Sequence, residues 1–151
     1  MTESATGEIR VARAGEVDQI LAVQGPILGL TAARARELVT DAVERGSLLV
    51  HLGAPGSIDG YALVEPRGFF GRDLVKLLVV APGARRRGIG AALLDAAARG
   101  CSTSRVFTST NESNAAMRAL LEAAGWHVSG TLTGLDAGDD EVVCYLDVPG
   151  R

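Results

Sequence analysis

Three consecutive arginines, Arg85 to Arg87, precede two glycines that are one residue apart, Gly88 and Gly90. Glycine allows the backbone to come close to a ligand, and the first amides of a helix have no partner inside that helix. Arginine guanidinium groups pair with phosphate oxygens in a bidentate geometry. If a helix begins here, the segment predicts an anion site that holds a phosphate or pyrophosphate group. An ordinary turn with a solvated basic edge would show the same pattern, so the spacing alone leaves both interpretations open.

The residues on either side of this turn predict the strand and the helix that such a site requires. The run 74–81 reads LVKLLVVA, which is typical of a buried strand, and Pro82 ends it. After the turn, apolar residues recur at helical spacing over 88–99. A Rossmann-type dinucleotide turn would need a third glycine where this chain has Leu93, so that alternative is disfavoured.

The remaining segments predict an α/β fold with a mixed sheet. Before the turn, the patterns predict a strand around Ile9 and Val11, a short helix around 17–21, a helix that Thr31 caps and Gly46 ends, and hairpin strands over 47–52 and 60–65. The strand over 60–65 is expected to end at Pro66, before a loop that carries Phe69 and Phe70. After the turn, they predict a strand over 105–110, a helix over 113–124, and strands near 126–133 and 142–148. This alternation favours a sheet with a parallel portion.

Composition and charge restrict the class of protein. The chain has 151 residues, which predicts one domain over 1–151, with residues 1–7 flexible. A net charge of -3 argues against nucleic acid as a partner. The opening residues do not resemble a signal peptide and the longest apolar run is too short to cross a bilayer, so no membrane partner is expected. Cys101 and Cys144 match no zinc motif and fit a reducing compartment, which predicts a cytoplasmic protein.

Two segments resemble the signatures of a known family. RRRGIG, preceded by a VxxP strand end, resembles the (Q/R)xxGx(G/A) signature of the GNAT superfamily of N-acetyltransferases, with Arg85 at its first position. NAAMRALLEAAGW, at 114–126, resembles the second signature of that family, NxxAxxLYExxGF, in the spacing of its asparagine, helix, glycine and aromatic residue. The order of the predicted elements also suits the family over residues 8–148.

The resemblance implies both a fold and an activity. The fold would be a single GNAT-like α/β domain with a mixed, mostly antiparallel sheet of about seven strands, a parallel pair splayed at the cofactor site, and about four flanking helices. The activity would be that of an acyltransferase, which moves an acetyl group from acetyl-CoA to a primary amine by direct attack in a ternary complex, without a metal. Relatives often pair through their final strands, so the resemblance also implies a homodimer.

The resemblance assigns the cofactor-binding residues by position. The turn would hold the pyrophosphate of coenzyme A through Arg85, Arg86, Arg87, Gly88, Ile89, Gly90 and Ala91. The backbone of 78–80 would run beside the pantetheine arm, through Leu78, Val79 and Val80. The amide of Val79 or Val80 would donate to the thioester oxygen, as an oxyanion hole does. Asn114 would contact the cofactor near the pantetheine, unless it only makes a local bond at the start of its helix.

Two departures from the family leave the acid and the base unassigned. Relatives often have a tyrosine that protonates the departing thiolate, where this chain has Leu121. Some relatives carry a glutamate as the base near the position of Ser109, and others carry one early in the strand before the turn, where the nearest carboxylate here is Asp73. Tyr145 is a further candidate for proton transfer. His51 and His127 could each act as a base, because histidine as a residue type serves as one near neutral pH, but nothing else in the sequence converges on them.

An acidic segment near the chain's end bears on the acceptor. Asp136, Asp139, Asp140 and Glu141 crowd the turn between the last two predicted strands, which borders the acceptor pocket in some relatives. Carboxylates there would bind a small cationic amine, although a solvated Asp-rich turn shows the same composition. A protein N-terminus or lysine is the alternative acceptor. A non-catalytic CoA-binding regulatory module is the alternative from another class, because Leu121 and the absent glutamate remove two catalytic groups.

Overall fold

The computed structural model describes residues 7–25, 27 and 29–150. In these residues the chain forms, in order, β1 (Glu8–Val11), α1 (Val17–Leu21), α2 (Ala32–Glu44), β2 (Leu48–Leu52), β3 (Ile58–Phe69), β4 (Arg72–Val80), α3 (Ile89–Arg99), β5 (Arg105–Asn111), α4 (Ala115–Ala123), β6 (His127–Asp136) and β7 (Asp139–Asp147). The flexibility expected of residues 1–7 falls almost wholly outside the described part of the chain.

The seven strands form one mixed sheet, as predicted. Their order is β1-β2-β3-β4-β5-β7-β6. The pairs β1–β2, β2–β3, β5–β7 and β6–β7 are antiparallel. β4 and β5 are parallel, and their register pairs Asp73 with Val106 and Val75 with Thr108. The predicted mixed, mostly antiparallel sheet of about seven strands with one parallel pair is therefore confirmed.

The chain divides into two compact units. The first unit comprises Met1–Val64 and Leu77–Ala97, and the second comprises Glu65–Lys76 and Ala98–Arg151. Strands β3 and β4 each contribute residues to both units.

Alternation along the strands gives the first unit a core on each face of its sheet. One core gathers residues of α1 and α2 with alternate strand residues, namely Leu48, Val50, Tyr61, Leu63 and Leu77. The other core contains Ile89 and Leu93 of α3 with Ala62 and Ala84. Successive side chains of a strand point to opposite faces, so β2 and β3 supply both cores.

Helix α2 begins and ends as its sequence predicts. The Thr31 hydroxyl accepts a hydrogen bond from the amide of Arg34 at 3.2 Å, which satisfies one of the unpaired amides of the first turn. Ala35, Val39 and Ala42 are buried along one stripe. Gly46 follows the helix with a φ of 69°, the left-handed conformation in which helices often stop.

The predicted end of β3 at Pro66 is wrong, because the strand continues to Phe69. Proline lacks an N–H, but Arg67 turns left-handed at a φ of 54° and donates its own amide to the carboxylate of Asp73 at 2.9 Å. Phe70 and Gly71, both with positive φ, then form a two-residue turn into β4. The expected loop is therefore a tight hairpin.

Candidate active site

The segment between β4 and α3 is a turn with two left-handed residues. A short 3₁₀ turn, Pro82–Ala84, follows β4, and Arg86 and Gly88 then adopt φ values of 65° and 78°. For arginine this conformation costs on the order of 1 kcal/mol, and such strain is concentrated at functional sites. The Gly88 carbonyl oxygen accepts a bond from the Ala92 amide at 3.0 Å, so α3 begins at this point.

The start of α3 leaves backbone donors available to a ligand. The amides at 89–91 occupy the first turn of an eleven-residue helix, where no carbonyl within the helix can pair with them. A Cβ built on Gly88 would meet no atom within 4 Å, so the space beside the turn is open. The positive end of the helix dipole adds to the attraction for an anion.

The three arginines do not have the same surroundings. The Arg85 guanidinium donates to the side-chain oxygen of Gln24 at 2.8 Å. Arg86 and Arg87 are exposed, and within the described residues no hydrogen bond or ion pair holds either guanidinium. The donor set of the turn is thus two available cations and a row of helix amides, which fits the two adjacent phosphates of coenzyme A.

The direction of each β4 amide shows which of the two predicted oxyanion donors is available to a ligand. The amide of Ala81 donates to the carbonyl oxygen of Asp59 on β3 at 2.8 Å. In an antiparallel ladder every second residue faces the same neighbour, so Val79 also turns its N–H and C=O toward β3. The Val79 oxygen lies 3.1 Å from the position that a Cβ would take at Gly60. The amide of Val80 therefore points toward the opposite edge of β4, away from the ladder with β3.

In the second unit, Asn114 caps α4 and Leu121 lies in its buried side. The Asn114 side-chain oxygen accepts from the Met117 amide at 3.1 Å, which is the local bond considered from the sequence. Leu121 is buried and lines a groove with Trp126 and Cys144. A cofactor contact by Asn114 stays a prediction, and Leu121 cannot donate a proton.

Asp73 is buried within a set of donors. Its carboxylate accepts bonds from the amides of Arg67 and Ser102 at 2.9 and 2.8 Å, and from the Ser102 hydroxyl at 3.2 Å. Burial works to raise the pKa of Asp73, but these donors together with the Cys101 side chain outweigh it and lower the pKa. A buried carboxylate of low pKa is a weak base, so these surroundings favour a structural role over the predicted proton transfer.

Ser109 and Tyr145 lie on one face of the sheet and Asp73 lies on the other. Ser109 is exposed and pairs with Val143, and Phe107 pairs with Tyr145. Each pair is two residues from the other along both strands, so all four side chains lie on the same face. Asp73 pairs with Val106, whose side chain faces the reverse side. The Tyr145 ring contacts Phe107 and His127, and the Arg105 guanidinium lies 4.3 Å from its centre. The three proton-transfer candidates therefore do not form one cluster.

Half of the acidic segment is used to hold the hairpin of β6 and β7. The Asp136 carboxylate accepts from the Asn111 side chain at 2.7 Å. The Asp139 carboxylate accepts from the Ser113 amide at 3.1 Å and from its hydroxyl at 2.5 Å. Asp140 and Glu141 are half-buried, and no hydrogen bond or ion pair joins either carboxylate to another residue that the structure describes.

Comparison with known proteins decides the family. A family model described as the acetyltransferase (GNAT) domain matches residues 42–128, which is more than half of the chain. The chain belongs to the GNAT family of acetyltransferases. It is accordingly an acyltransferase, as the resemblance of its two signatures implied.

Solved acetyltransferase structures share the fold over nearly the whole chain, which confirms the predicted GNAT-like fold class. A GNAT-family acetyltransferase from Bacillus cereus ATCC 10987 is 27% identical, with a TM-score of 0.85, and the match covers 94% of this chain and 97% of the other. YncA from Salmonella typhimurium, solved with acetyl-CoA, is 21% identical with a TM-score of 0.75, covering 97% and 96%. The ribosomal-protein-S18-alanine N-acetyltransferase from Escherichia coli is 16% identical with a TM-score of 0.73, covering 95% and 94%. No curated protein matches the sequence.

Two polar pairs in this GNAT domain were not predicted, although Arg85 itself was a predicted cofactor-binding residue. One is Arg85 with Gln24, and the other is His51 with Asp59, whose Nδ1 and Oδ1 lie 2.5 Å apart. The register of β2 and β3 places His51 opposite Gly60, so the hairpin pattern could have indicated a partner near residue 59. The Gln24 contact has no local sequence signal, because it joins residues 61 positions apart.

The described residues of this GNAT domain hold neither a cluster of metal ligands nor a membrane-spanning helix. Across residues 7–25, 27 and 29–150, no three His, Cys, Asp or Glu side chains are gathered closely enough to hold a metal ion. In the same residues, no helix combines the length and the apolar character needed to cross a bilayer. A reaction without metal, and the exclusion of nucleic acid and membrane partners, stay predictions.

We predict that Asp73→Asn lowers the free energy of unfolding by about 1–3 kcal/mol at pH 7, because buried donors lose a charged acceptor. The folded state lowers the pKa of Asp73 below its ordinary 3.8, so the stabilisation is present above that value and is lost as pH falls through the lowered pKa. Urea unfolding of both proteins at pH 7, 3.5 and 2.5 measures the difference, which should shrink at the two acid values. Asp147→Asn, at an exposed carboxylate, is the control. Equal stability of Asp73→Asn and the parent at pH 7 would contradict the structural role assigned to the Asp73 carboxylate.

Proposed function

We propose that this GNAT acetyltransferase moves an acetyl group from acetyl-CoA to a primary amine, and that the amine is a small cationic molecule. The observation that carries the proposal is the turn at 85–91, where two unpaired arginines and the first amides of α3 meet. This donor set matches a pyrophosphate, and the family match supplies the reaction class.

The turn at 85–91 and the end of β4 would together bind the acyl donor, acetyl-CoA. Arg86 and Arg87 would pair with the phosphates, while the amides at 89–91 would donate to the same oxygens. Leu78, Val79 and Val80 would run beside the pantetheine arm, as the family resemblance implies. When bound, acetyl-CoA supplies a thioester carbonyl that an amine can attack.

The Val80 amide is our candidate for stabilising the charge that develops on the thioester oxygen. Its N–H points away from β3, so no ladder bond to that strand has to break before it donates. A fixed backbone donor costs no reorganisation during the reaction, and removal of one such donor in other enzymes costs about 100-fold in rate or more. Positioning of the amine would supply most of the remainder.

Proton transfer would depend on solvent rather than on one dedicated side chain. An amine with an ordinary pKa near 10 must lose a proton before it attacks. Asp73 is committed to its buried donors, and Leu121 cannot act as an acid. Since thiols ionise near pH 8.5, the departing thiolate does not require an acid. Ser109 and Tyr145 stay candidates for relaying the proton to water.

Asp140 and Glu141 support a cationic acceptor. Both are half-buried carboxylates without a partner among the described residues, whereas Asp139 is occupied by Ser113. Two such groups on one hairpin would attract a diamine, a polyamine or an amino sugar with several amines more strongly than a peptide terminus, which carries at most one positive charge.

We also propose that the protein forms a homodimer through β6. This strand ends the sheet, all ten of its residues are exposed, and Val128 and Leu135 have exposures of 65% and 64%. No charged residue lies between His127 and Asp136. A long, uncharged edge strand that exposes Val128, Leu132 and Leu135 and has no lysine or proline is normally covered, since it would otherwise aggregate. We propose that β6 of a second copy of this chain covers the edge, because such pairing requires no other protein.

The cytoplasm is the proposed location. Cys101 and Cys144 are both buried and neither forms a disulfide. Burial raises the pKa of both thiols, which keeps them protonated and slow to oxidise. A reducing compartment suits such a pair.

Acetyl-CoA turnover across a panel of amines and N-terminal peptides, read as thiol release, tests the function. Arg86→Glu should raise the KM for acetyl-CoA about tenfold or more with little effect on kcat, because a charge-assisted phosphate contact becomes repulsive. Arg34→Glu is the matched control, since it makes the same change in the first turn of α2. If the parent binds acetyl-CoA and no acceptor raises its turnover, the protein is the non-catalytic module. If it does not bind acetyl-CoA, the proposed donor is wrong.

The acceptor class is tested by neutralising the unpaired carboxylates. Asp140→Asn/Glu141→Gln should raise the KM for a diamine about fivefold and leave the KM for acetyl-CoA unchanged, because two surface attractions are lost. Asp147→Asn removes one carboxylate at the far end of β7 and should change neither constant. A preference of the parent for peptides, unaffected by the double substitution, would show that the acceptor is a protein.

Light scattering tests the dimer. The expected mass is twice the 15.6 kDa of one chain. Val128→Lys should shift the protein to monomer, because a buried lysine would oppose pairing of the edge. Val11→Lys, on the strand at the other end of the sheet order, should leave the mass unchanged. A monomeric parent, or dissociation by Val11→Lys alone, would refute pairing through β6.

A further inference from the structure

A β-bulge interrupts the pairing of β2 and β3 directly before the part of β3 that faces α3. His51 pairs with Gly60, but Leu52 pairs with Ile58, so Asp59 is an extra residue on β3. A bulge changes the direction of a side chain and disturbs the regular ladder, so it persists where the new direction is needed. Here it brings the Asp59 carboxylate onto the same side as the ring of His51.

His51 and Asp59 form a largely buried pair. The His51 side chain is 3% exposed, and its Nδ1 lies 2.5 Å from Asp59 Oδ1. A carboxylate only accepts hydrogen bonds, so Nδ1 is the donor. Nε2 of the same ring is buried and has no hydrogen-bond partner among the described residues. A ring with one strong bond and one unmet nitrogen is costly to bury, which indicates that the bond to Asp59 has a use.

Two glycines make room for this pair. A Cβ on Gly7 would collide with the His51 ring and the carbonyl of Leu52, and a Cβ on Gly53 would lie 2.5 Å from Asp59 Oδ2. Neither side chain of the pair could keep its position beside a larger residue. The space around the pair is therefore shaped to its two members.

The same segment of β3 supports the turn that precedes α3. The Asp59 carbonyl oxygen accepts the Ala81 amide at 2.8 Å, immediately before the 3₁₀ turn. A Cβ on Gly60 would lie 3.0 Å from Ile89 and 3.1 Å from Leu93, so the absence of a side chain lets the first turns of α3 pack against β3. Asp59 thus holds one end of the turn and Gly60 holds the other.

We infer that His51 and Asp59 are positioning residues for the acyl-donor site. Their bond fixes the bulge, the bulge fixes Ala81 and the first turn of α3, and these in turn place the amides at 89–91. Neither side chain touches the donor. This inference rests on the proposed function, because it assumes that the turn at 85–91 holds acetyl-CoA.

Two substitutions at His51 separate positioning from simple filling of space. His51→Leu keeps most of the volume but leaves the Asp59 carboxylate without its donor. His51→Asn keeps an N–H donor close to the place of Nδ1. We expect the Kd for coenzyme A to rise about tenfold in His51→Leu and less than about threefold in His51→Asn. At saturating acetyl-CoA the kcat of both variants should stay within about twofold of the parent, because both retain the Val80 amide, the proposed oxyanion donor.

A second measurement does not depend on the ligand. Amide hydrogen exchange at Ala81 and Ala92, whose amides donate to Asp59 and Gly88, should accelerate in His51→Leu and not in His51→Asn. Thr31→Ala is the control for lost stability, because it removes the α2 cap, lowers Tm by a few degrees and leaves this segment untouched. Its Kd for coenzyme A and its Ala81 exchange should match those of the parent.

The outcomes distinguish this inference from the proposed function. If the parent binds coenzyme A but His51→Leu changes neither Kd nor Ala81 exchange, the positioning role is wrong and the donor site stands. If Thr31→Ala weakens binding as much as His51→Leu does, the effect is general destabilisation and the positioning role is again wrong. If the parent does not bind coenzyme A, the donor assignment is wrong, and accelerated exchange would then show only a structural role for the pair.

Discussion

The starting residue of α3 is the constraint on which the site depends. An α-helix turns about 100° per residue, so a shift of its start by one position would aim the first amides away from the open side of the turn. Two conditions fix that start. Arg86 and Gly88 adopt left-handed conformations that bring the chain round, and Ile89 and Leu93 are buried against β3. Apolar packing on one side of the helix therefore sets the geometry of the polar donors on its other side.

This arrangement places most of the expected chemistry on the backbone. The amides of the α3 first turn and of Val80 belong to regular elements, so their directions are set by the helix and by the β3–β4 ladder. Side chains contribute less: Asp73 is held by its own donors, and Tyr145 packs among aromatic rings. Arg86 and Arg87 add charge at the surface. A site of this kind suits a reaction in which positioning and one oxyanion donor supply most of the acceleration.

Local patterns predicted the parts of the fold that local physics determines. The cap at Thr31, the buried stripe of α2 and the succession of β4, turn and α3 follow from spacing, capping and glycine chemistry. The continuation of β3 past Pro66 did not, because it depends on a bond from Arg67 to Asp73 across a hairpin. The pairing of His51 with Asp59 depends on a bulge, and the choice between Val79 and Val80 depends on the phase of the ladder. Those features depend on how strands pair with one another, so the pattern of a single segment cannot predict them.

The alternation of β4 also determines which kinds of sequence change the site can absorb. Because the Val80 N–H would act without its side chain, valine there could be exchanged for another β-branched residue at little cost to the proposed oxyanion donor. Insertion or deletion of a single residue at the end of β4, just before Pro82, would have the opposite effect. It would reverse the alternation, turn the Val80 amide into the ladder and present the neighbouring residue in its place. The protein should therefore tolerate variety in the side chains of this stretch and very little variation in its length.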